Sequence, residues 1–488
     1  MAKEGPFKPR EYPKLPLKET ISALPRPYDG DVTSIIDSQL PSAKTPVLII
    51  LDDDSTGTQT CHDIAVLTVW DHDTLYSELT SATKGFFILT NSRAFPAAEA
   101  RELVVTICQN VVAAAKQADK KFSIVLRGDS TLRGHFPEEA EAVEEVLGKA
   151  DNWILAPFFF QGGRYTIGDV HYVREGDVLV PASQTPFAED ATFGYRSSSL
   201  RDWVLEKAGS RFTERDILSI SIENIRNDGK HVIAQKLLRA PRGSVVIVNA
   251  AAESDMLLFA AAVVVAEQQD RSYLYRTGAA FVSSRLGITG IPPLSPEDLD
   301  TNYATNRTGG LIIAGSYVPK TTAQLATLRE QRGTKLHVIE LDVSKVIHAE
   351  AADAVVRWVI SDMNDRIATG EDVLVMTSRS LITGGDAASS LRIGGLVATV
   401  LVKVIEGLAQ RPRYIIAKGG ITASDVATKG LKMKRAMVIG QAAPGVPLWK
   451  CNEPTSTHAG VPYIVFPGNV GDNYALADMV QRWALPEQ

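Results

Sequence analysis

Short apolar runs ending in polar, glycine-containing turns alternate with segments of helical period, first from about residue 46 and again from about residue 305. Val47–Leu51, Ile64–Val69, Gly85–Leu89, Phe122–Leu126, Trp153–Ala156 and Gly243–Val248 read as strands. Ala97–Gln117, Phe136–Val146 and Ser254–Glu267 read as helices between or after them. Buried runs of this length alternating with helices demand α/β architecture with a largely parallel sheet. Gly287, Gly290, Pro292, Pro293 and Pro296, then the polar stretch Asp298–Thr308, interrupt the pattern. It resumes with strands at Leu311–Ala314, His337–Leu341, Val373–Thr377 and Tyr414–Ala417, and helices at Thr321–Gln331, Ala352–Ile367 and Gly394–Leu408. The expected organisation is an extension over 1–45, one α/β domain over 46–304 and a second over 305–488. A chain of 488 residues exceeds the roughly 250–300 beyond which one core rarely grows, so two domains or more are expected from length as well.

The prolines at positions 6, 9, 13, 16, 25 and 27 prevent a long helix in the extension. It reads as a tail, or as an arm lying on the body or on a partner subunit, and a homodimer stays open. The apolar run Met256–Ala266 is shorter than the roughly 20 residues that cross a bilayer, so no membrane partner is expected. With 51 Lys+Arg against 57 Asp+Glu the net charge is −6, which argues against a general nucleic-acid binder. Cys61, Cys108 and Cys451 form no CxxC pair, and no secretory signal opens the chain, so a cytoplasmic setting is expected.

Chemistry concentrates where strands end. Asp52-Asp53-Asp54-Ser55-Thr56-Gly57 follows the first strand. Ligands of open α/β sheets bind at carboxyl ends of strands, and adjacent carboxylates there need a cation or a held proton. A solvated acidic turn is the structural alternative. Arg127-Gly128-Asp129-Ser130-Thr131-Leu132-Arg133-Gly134 offers two guanidiniums for a carboxylate or phosphate and hydroxyls for a sugar, or else a surface loop of ion pairs. Asn91 and Arg93 suit an acidic, hydroxylated ligand, although Thr90-Asn91-Ser92 could equally begin a helix. Phe158-Phe159-Phe160 could wall a pocket or fill a core, ahead of Gly162-Gly163-Arg164. In the second half, Gly315-Ser316, Lys418-Gly419-Gly420-Ile421-Thr422 and Gly468-Asn469-Val470-Gly471 each follow a strand, where exposed N–H groups can cradle phosphate. No Walker A or GxGxxG fingerprint occurs.

Asp52-x-Asp54-x-Thr56 also fits the opening of a haloacid-dehalogenase phosphatase, but no later acidic pair completes that set in the same domain. The ordered combination Asp53-Asp54-Ser55-Thr56-Gly57, Asp129-Ser130-Thr131-Leu132-Arg133-Gly134, Gly163-Arg164-Tyr165-Thr166, Gly315-Ser316, Gly419-Gly420-Ile421-Thr422 and Gly468-Asn469-Val470-Gly471 resembles the four-carbon acid sugar kinase family. The resemblance runs from about 46 to 482. It implies an N-terminal acid-sugar domain, a C-terminal nucleotide domain, an active site in the cleft between them, and ATP-dependent phosphorylation of threonate, erythronate or a 3-oxo-tetronate. Carried over by position, Asp53 and Asp54 become catalytic, one of them a candidate for Mg²⁺. Asn91, Arg93, Arg127, Asp129, Ser130, Arg133 and Arg164 become substrate-binding. Ser316, Gly419, Gly420, Ile421, Thr422 and Gly468 become nucleotide-binding. The sequence departs from the family at Arg127, where Lys is commoner, at Ile421 in place of a carboxylate, at Val318 in place of a hydroxyl, and at Val470. The lost carboxylate leaves a non-catalytic sugar-acid sensor as the alternative class.

Overall fold

The structure, a computed structural model, describes residues 9–31, 36, 40, 44–299, 305–315, 318–346, 349–379, 387–454, 456–468 and 470–486. The chain divides into two compact units: residues 1–61 with 69–290, and residues 62–68 with 291–488. The division falls between Gly290 and Ile291, ahead of the polar stretch on which the expected boundary near 305 rests. Ile291 onward joins the second unit because that segment packs there: Leu294 donates its N–H to the Gln441 carbonyl, and Leu294 and Leu299 lie on the second core.

The strands in chain order are β1 (Leu15–Pro16), β2 (Val47–Asp52), β3 (Ile64–Leu67), β4 (Gly85–Leu89), β5 (Phe122–Arg127), β6 (Asn152–Ala156), β7 (Arg164–Ile167), β8 (Val170–Glu175), β9 (Val178–Pro181), β10 (Ile217–Ile220), β11 (Ser244–Val248) and β12 (Tyr273–Thr277). In the first unit β10-β11-β6-β12-β5-β2-β4 form a sheet in which every pair is parallel. Its central strands are buried on both faces, as Val/Ile/Leu runs without alternation require. Helices Ala97–Ala118 and Glu253–Glu267 follow β4 and β11. A small antiparallel sheet, β1-β9-β8-β7, accompanies the parallel one. Through β1 the described part of the extension lies on the body: Leu15 pairs with Leu179, and Arg226 donates to the Pro25 carbonyl.

The second unit adds β13 (Leu311–Ala314), β14 (Leu336–Leu341), β15 (Asp372–Thr377), β16 (Ile415–Lys418), β17 (Arg435–Ala443), β18 (Val446–Cys451) and β19 (Pro462–Phe466). The order β19-β16-β13-β15-β14 is parallel throughout. β18, β17 and β3 extend it antiparallel from β19. The strand expected at Ile64–Val69 exists as Ile64–Leu67, and within the second unit it pairs antiparallel with Arg435–Val438. Its apolar run specifies a buried strand and cannot name the partner. Trp449, Tyr414 and Trp483 are among the largest fully buried side chains of this unit.

Candidate functional site

In the first unit β12, β5, β2 and β4 are neighbours, and register sets Thr277 beside Arg127, Arg127 beside Asp52, and Asp52 beside Leu89. The loops after these strands therefore emerge at one edge of the sheet. They bring together Asp53 and Asp54, Asn91 and Arg93, and Asp129 to Gly134, three groups far apart along the chain.

Arg93 joins the two acids. Its Nε lies 3.1 Å from Asp53 Oδ2 and its Nη2 donates to Asp54 Oδ2 at 2.6 Å. Asp54 Oδ1 accepts from the Thr56 N–H at 2.8 Å, which fixes the turn. Asp53 is buried and Asp54 remains partly exposed, with a side chain 21% accessible. Burial pushes the Asp53 carboxyl up, against the pull of Arg93, Arg276 and Arg127. Asp52 lies deeper, raised well above the carboxylate range chiefly by burial, with Arg127 Nη1 3.8 Å from its Oδ1. A side chain at position 57 would begin about where that carboxylate sits, 2.0 Å from Oδ2, so Gly57 makes room for Asp52. Arg127 is thus a buried partner of Asp52.

The second loop is built the same way. Arg133 Nε donates to Asp129 Oδ2 at 2.6 Å, and Thr131 Oγ1 donates to the same oxygen. Burial alone would raise Asp129, but Arg133 and Arg93 hold it well below the usual carboxylate range. Arg133 Nη1 lies 3.6 Å from Asp190 Oδ2. The guanidiniums of Arg133 and Arg164 both stand over the Phe187 ring, at 5.2 and 5.5 Å. Arg164 donates through Nη1 to the Gly162 carbonyl, leaves Nε without a hydrogen bond, and pairs with no carboxylate among the described residues. The Ser130 carbonyl accepts from His171 Nε2 at 2.7 Å, so Nδ1 is the acceptor for Thr166 Oγ1 at 3.0 Å. Burial drives the imidazole of His171 down to about 4, so it stays neutral as a strut. Asn91 turns the chain with a left-handed backbone, φ 51°, its N–H donating to the Asp52 carbonyl.

Arg276, at the end of β12, and Glu139, in helix Glu138–Leu147, complete the cluster. Arg276 Nη2 donates to the Arg133 carbonyl at 2.9 Å. A side chain at Gly134, where φ is +125°, would begin 2.9 Å from Arg276 Nη2 and 3.3 Å from Asp53 Oδ2. Burial, with the Asp53 charge adding to it, lifts the Glu139 carboxyl to about 7. Sequence reasoning missed both residues. Arg276-Thr277-Gly278 after an apolar run parallels Leu126-Arg127-Gly128 and is the signal that marked Arg276, whereas Glu139 sits among four other glutamates of its helix and carries none.

In the second unit the three glycine turns follow β13, β16 and β19, three adjacent parallel strands with Ala314 beside Lys418 and Lys418 beside Phe466. A Cβ on Gly315 would lie 2.8 Å from Leu401 Cδ1 and 3.0 Å from Thr422 Oγ1, so the backbone there has no space for a side chain. Gly419 has φ +104°, which L side chains rarely adopt. Gly420–Asp425 is a short helix that leaves Ile421 58% exposed. The Gly468 carbonyl accepts from Thr321 Oγ1 at 3.1 Å. Ser316 and Asn469 lie outside the described residues. Such a side-chain-free backbone edge fits the phosphates of a nucleotide. Among the described residues no group of three His, Cys, Asp or Glu could hold a metal ion, and Asp53 and Asp54 are already met by Arg93. Among the described residues no helix is long and apolar enough to cross a membrane.

Known proteins supply the context for this geometry. Residues 48–285 match the family model of a sugar-binding N-terminal domain, and residues 311–476 that of a nucleotide-binding C-terminal domain. No curated protein matches the chain. Among solved structures, a Salmonella typhimurium LT2 protein provisionally described as a tRNA synthase is 16% identical, covering 90% of this chain and 99% of its own, with a TM-score of 0.59. The Haemophilus influenzae protein HI1011, of family DUF1537, is 18% identical over 89% and 99%, with a TM-score of 0.57. A Bordetella bronchiseptica DUF1537 protein, a domain-swapped dimer with bound citrate, is 19% identical over 90% and 100%, with a TM-score of 0.39. The Salmonella and Haemophilus structures share the fold of this chain. Through its sugar-binding and nucleotide-binding domains, the chain belongs to the four-carbon acid sugar kinase family.

Proposed function

We propose that this protein is an ATP-dependent kinase that phosphorylates a hydroxyl of a four-carbon or closely related acid sugar. The observation that carries the reading is Arg93 held between Asp53 and Asp54, with Asp54 partly exposed at the carboxyl edge of the sugar-binding unit. Phosphoryl transfer needs an oriented hydroxyl, a group to accept its proton and cations to offset charge. Asp54 is the partly exposed carboxylate that orients the hydroxyl and takes its proton. Asp53, buried behind it, fixes Arg93 and keeps that guanidinium from swinging into solvent. ATP, as second substrate, supplies the phosphoryl group.

The acid group of the sugar needs a cation that is not already neutralised. Arg93 and Arg133 each pair with aspartate, whereas Arg164 has a carbonyl partner and a ring. Its buried charge is the one that a substrate carboxylate satisfies, bidentately if both faces of the fork are used. Arg133 and Asp129 then meet the sugar hydroxyls, with Ser130 behind them. In the second unit, backbone at Gly315, Gly419, Gly420 and Gly468 receives phosphate, and Thr422 and the exposed Ile421 border it.

The test is incubation of the purified protein with ATP and a panel of threonate, erythronate, 3-oxo-tetronates and branched C4 acids, with products read by mass spectrometry. A phosphorylated acid and equimolar ADP are expected. Acid binding by calorimetry with no nucleotide consumed on any member of the panel would establish a sensor instead.

A further inference from the structure

Lys418 closes β16 between β13 and β19, and it is fully buried. Its Nζ donates to the Pro467 carbonyl at 2.5 Å and stands 4.2 Å from the centre of the Phe466 ring. Among the described residues no carboxylate lies within ion-pair distance of it. β13 and β19 carry no charged residue at all. Asp425, in the helix that follows Lys418, is taken by Lys429 at 2.6 Å. Asp472 accepts from the Tyr474 and Ala475 N–H groups, each at 3.0 Å. The charged group whose field does reach Lys418 is a second cation, Lys320, whose Nζ donates to the Gly471 carbonyl at 3.1 Å. Two lysines thus bracket one glycine turn, holding the carbonyls at its two ends.

A buried ammonium without a counter-ion is costly, and the protein relieves the cost by letting the amine lose its proton. Burial, with Lys320 adding to it, brings Lys418 down to about 7. The arrangement asks for an anion that arrives from outside. Lys418 adjoins Gly419 and Gly420, the turn assigned to nucleotide phosphate, and a lysine is a compact donor suited to such a group.

We propose that Lys418 is the cation of the second unit that receives a phosphate of the nucleotide, and that it enters this contact by taking up one proton from solvent. The inference rests on the nucleotide reading of that unit and assigns it a residue and a proton count. The neutral amine becomes an ammonium, the proton comes from the buffer, and no other bond changes. Because bound phosphate raises the lysine above its free value, affinity is greatest below about pH 7 and is lost as pH rises through the bound-state value.

The experiment is calorimetric titration of the full-length protein with ATP at pH 8, in two buffers of different ionisation heat. At that pH the terminal phosphate, whose second ionisation lies near 6, carries no proton of its own to confuse the count. The wild type should take up about one proton per ATP bound, and Lys418→Met should take up none and bind at least about tenfold more weakly, the range for losing one charged hydrogen bond. ATP binding without proton uptake in the wild type overturns the proposal and leaves the nucleotide reading standing, as does Lys418→Met with wild-type affinity and uptake. Absence of ATP binding by the wild type overturns the nucleotide reading itself. Should Lys418→Met not fold, the wild-type proton count decides alone.

Discussion

A side chain on residue 128 would begin 1.2 Å from Arg276 Nη1: the guanidinium of Arg276 fills the volume that Gly128 leaves empty. A strand far downstream, β12, therefore dictates a glycine in the loop after β5. Gly128→Ala should expel Arg276 from its contact with the Arg133 carbonyl. Chemical denaturation should show a loss of about 1–3 kcal/mol, the usual cost of stranding a buried charged hydrogen bond. In an Arg276→Ala background the same substitution should cost little, and a double-mutant cycle reads the coupling. Additive losses would mean that Arg276 is not what occupies the space.

Asp54→Asn keeps the size of the side chain and the Thr56 turn but cannot accept a proton. It should lower kcat roughly 10²–10⁴-fold, the range for removing general base catalysis, with the melting temperature little changed. Asp53→Asn should also lower kcat, and it should in addition loosen Arg93, visible as a rise in KM for the acid. Steady-state kinetics on the best substrate of the panel separates the two. Full activity in Asp54→Asn would remove it from the mechanism.

Arg164→Lys retains the charge and loses the planar fork. The expected result is a rise in KM for the acid sugar of about tenfold or more with KM for ATP unchanged, since a bidentate contact is replaced by a point charge. An unchanged KM for the acid would place the substrate carboxylate elsewhere.

Glu139 gives a pH signature in stability. Its folded value is raised from an ordinary 4.5 to about 7, so the native state holds a proton that the unfolded chain releases. Its favourable contribution is complete below about 4.5 and is lost as pH rises through about 7. The loss is on the order of 3 kcal/mol, since each tenfold change in proton affinity is worth about 1.4 kcal/mol. Glu139→Gln cannot ionise. Its stability relative to wild type should therefore increase between pH 4.5 and 7, measured by urea titration across that range.

Gly419→Ala tests the second unit. The backbone at φ +104° is strained for any L side chain, at about 1–3 kcal/mol. The alanine variant should melt lower and, because the turn must shift, bind ATP more weakly by calorimetry. Unchanged ATP affinity would detach this turn from the nucleotide.

The α/β class, most of the strands and the loops that carry chemistry follow from the order of residues. Apolar runs such as Gly85–Leu89 or Leu311–Ala314 bury on both faces only in a covered parallel sheet, and a strand that must end in Asp or Gly exposes that residue at the sheet edge. Asp53, Asp54, Arg93, Asp129 and Arg133 were legible for that reason. Which loops become neighbours is settled only when the chain folds. Strand order is set by long-range packing that no local period encodes, which is why β3 serves the second unit and why Arg276 and Glu139 enter the acidic cluster. Folding also determines which charges are spent on one another. Arg127 and Arg164 look alike in the chain, yet the first faces Asp52 and the second meets no carboxylate among the described residues. Lys418 likewise reads as one more lysine before a glycine pair until burial leaves it without a counter-ion among the described residues. Charge in a sequence is a property of one residue, whereas desolvation and pairing belong to the volume that other residues build around it.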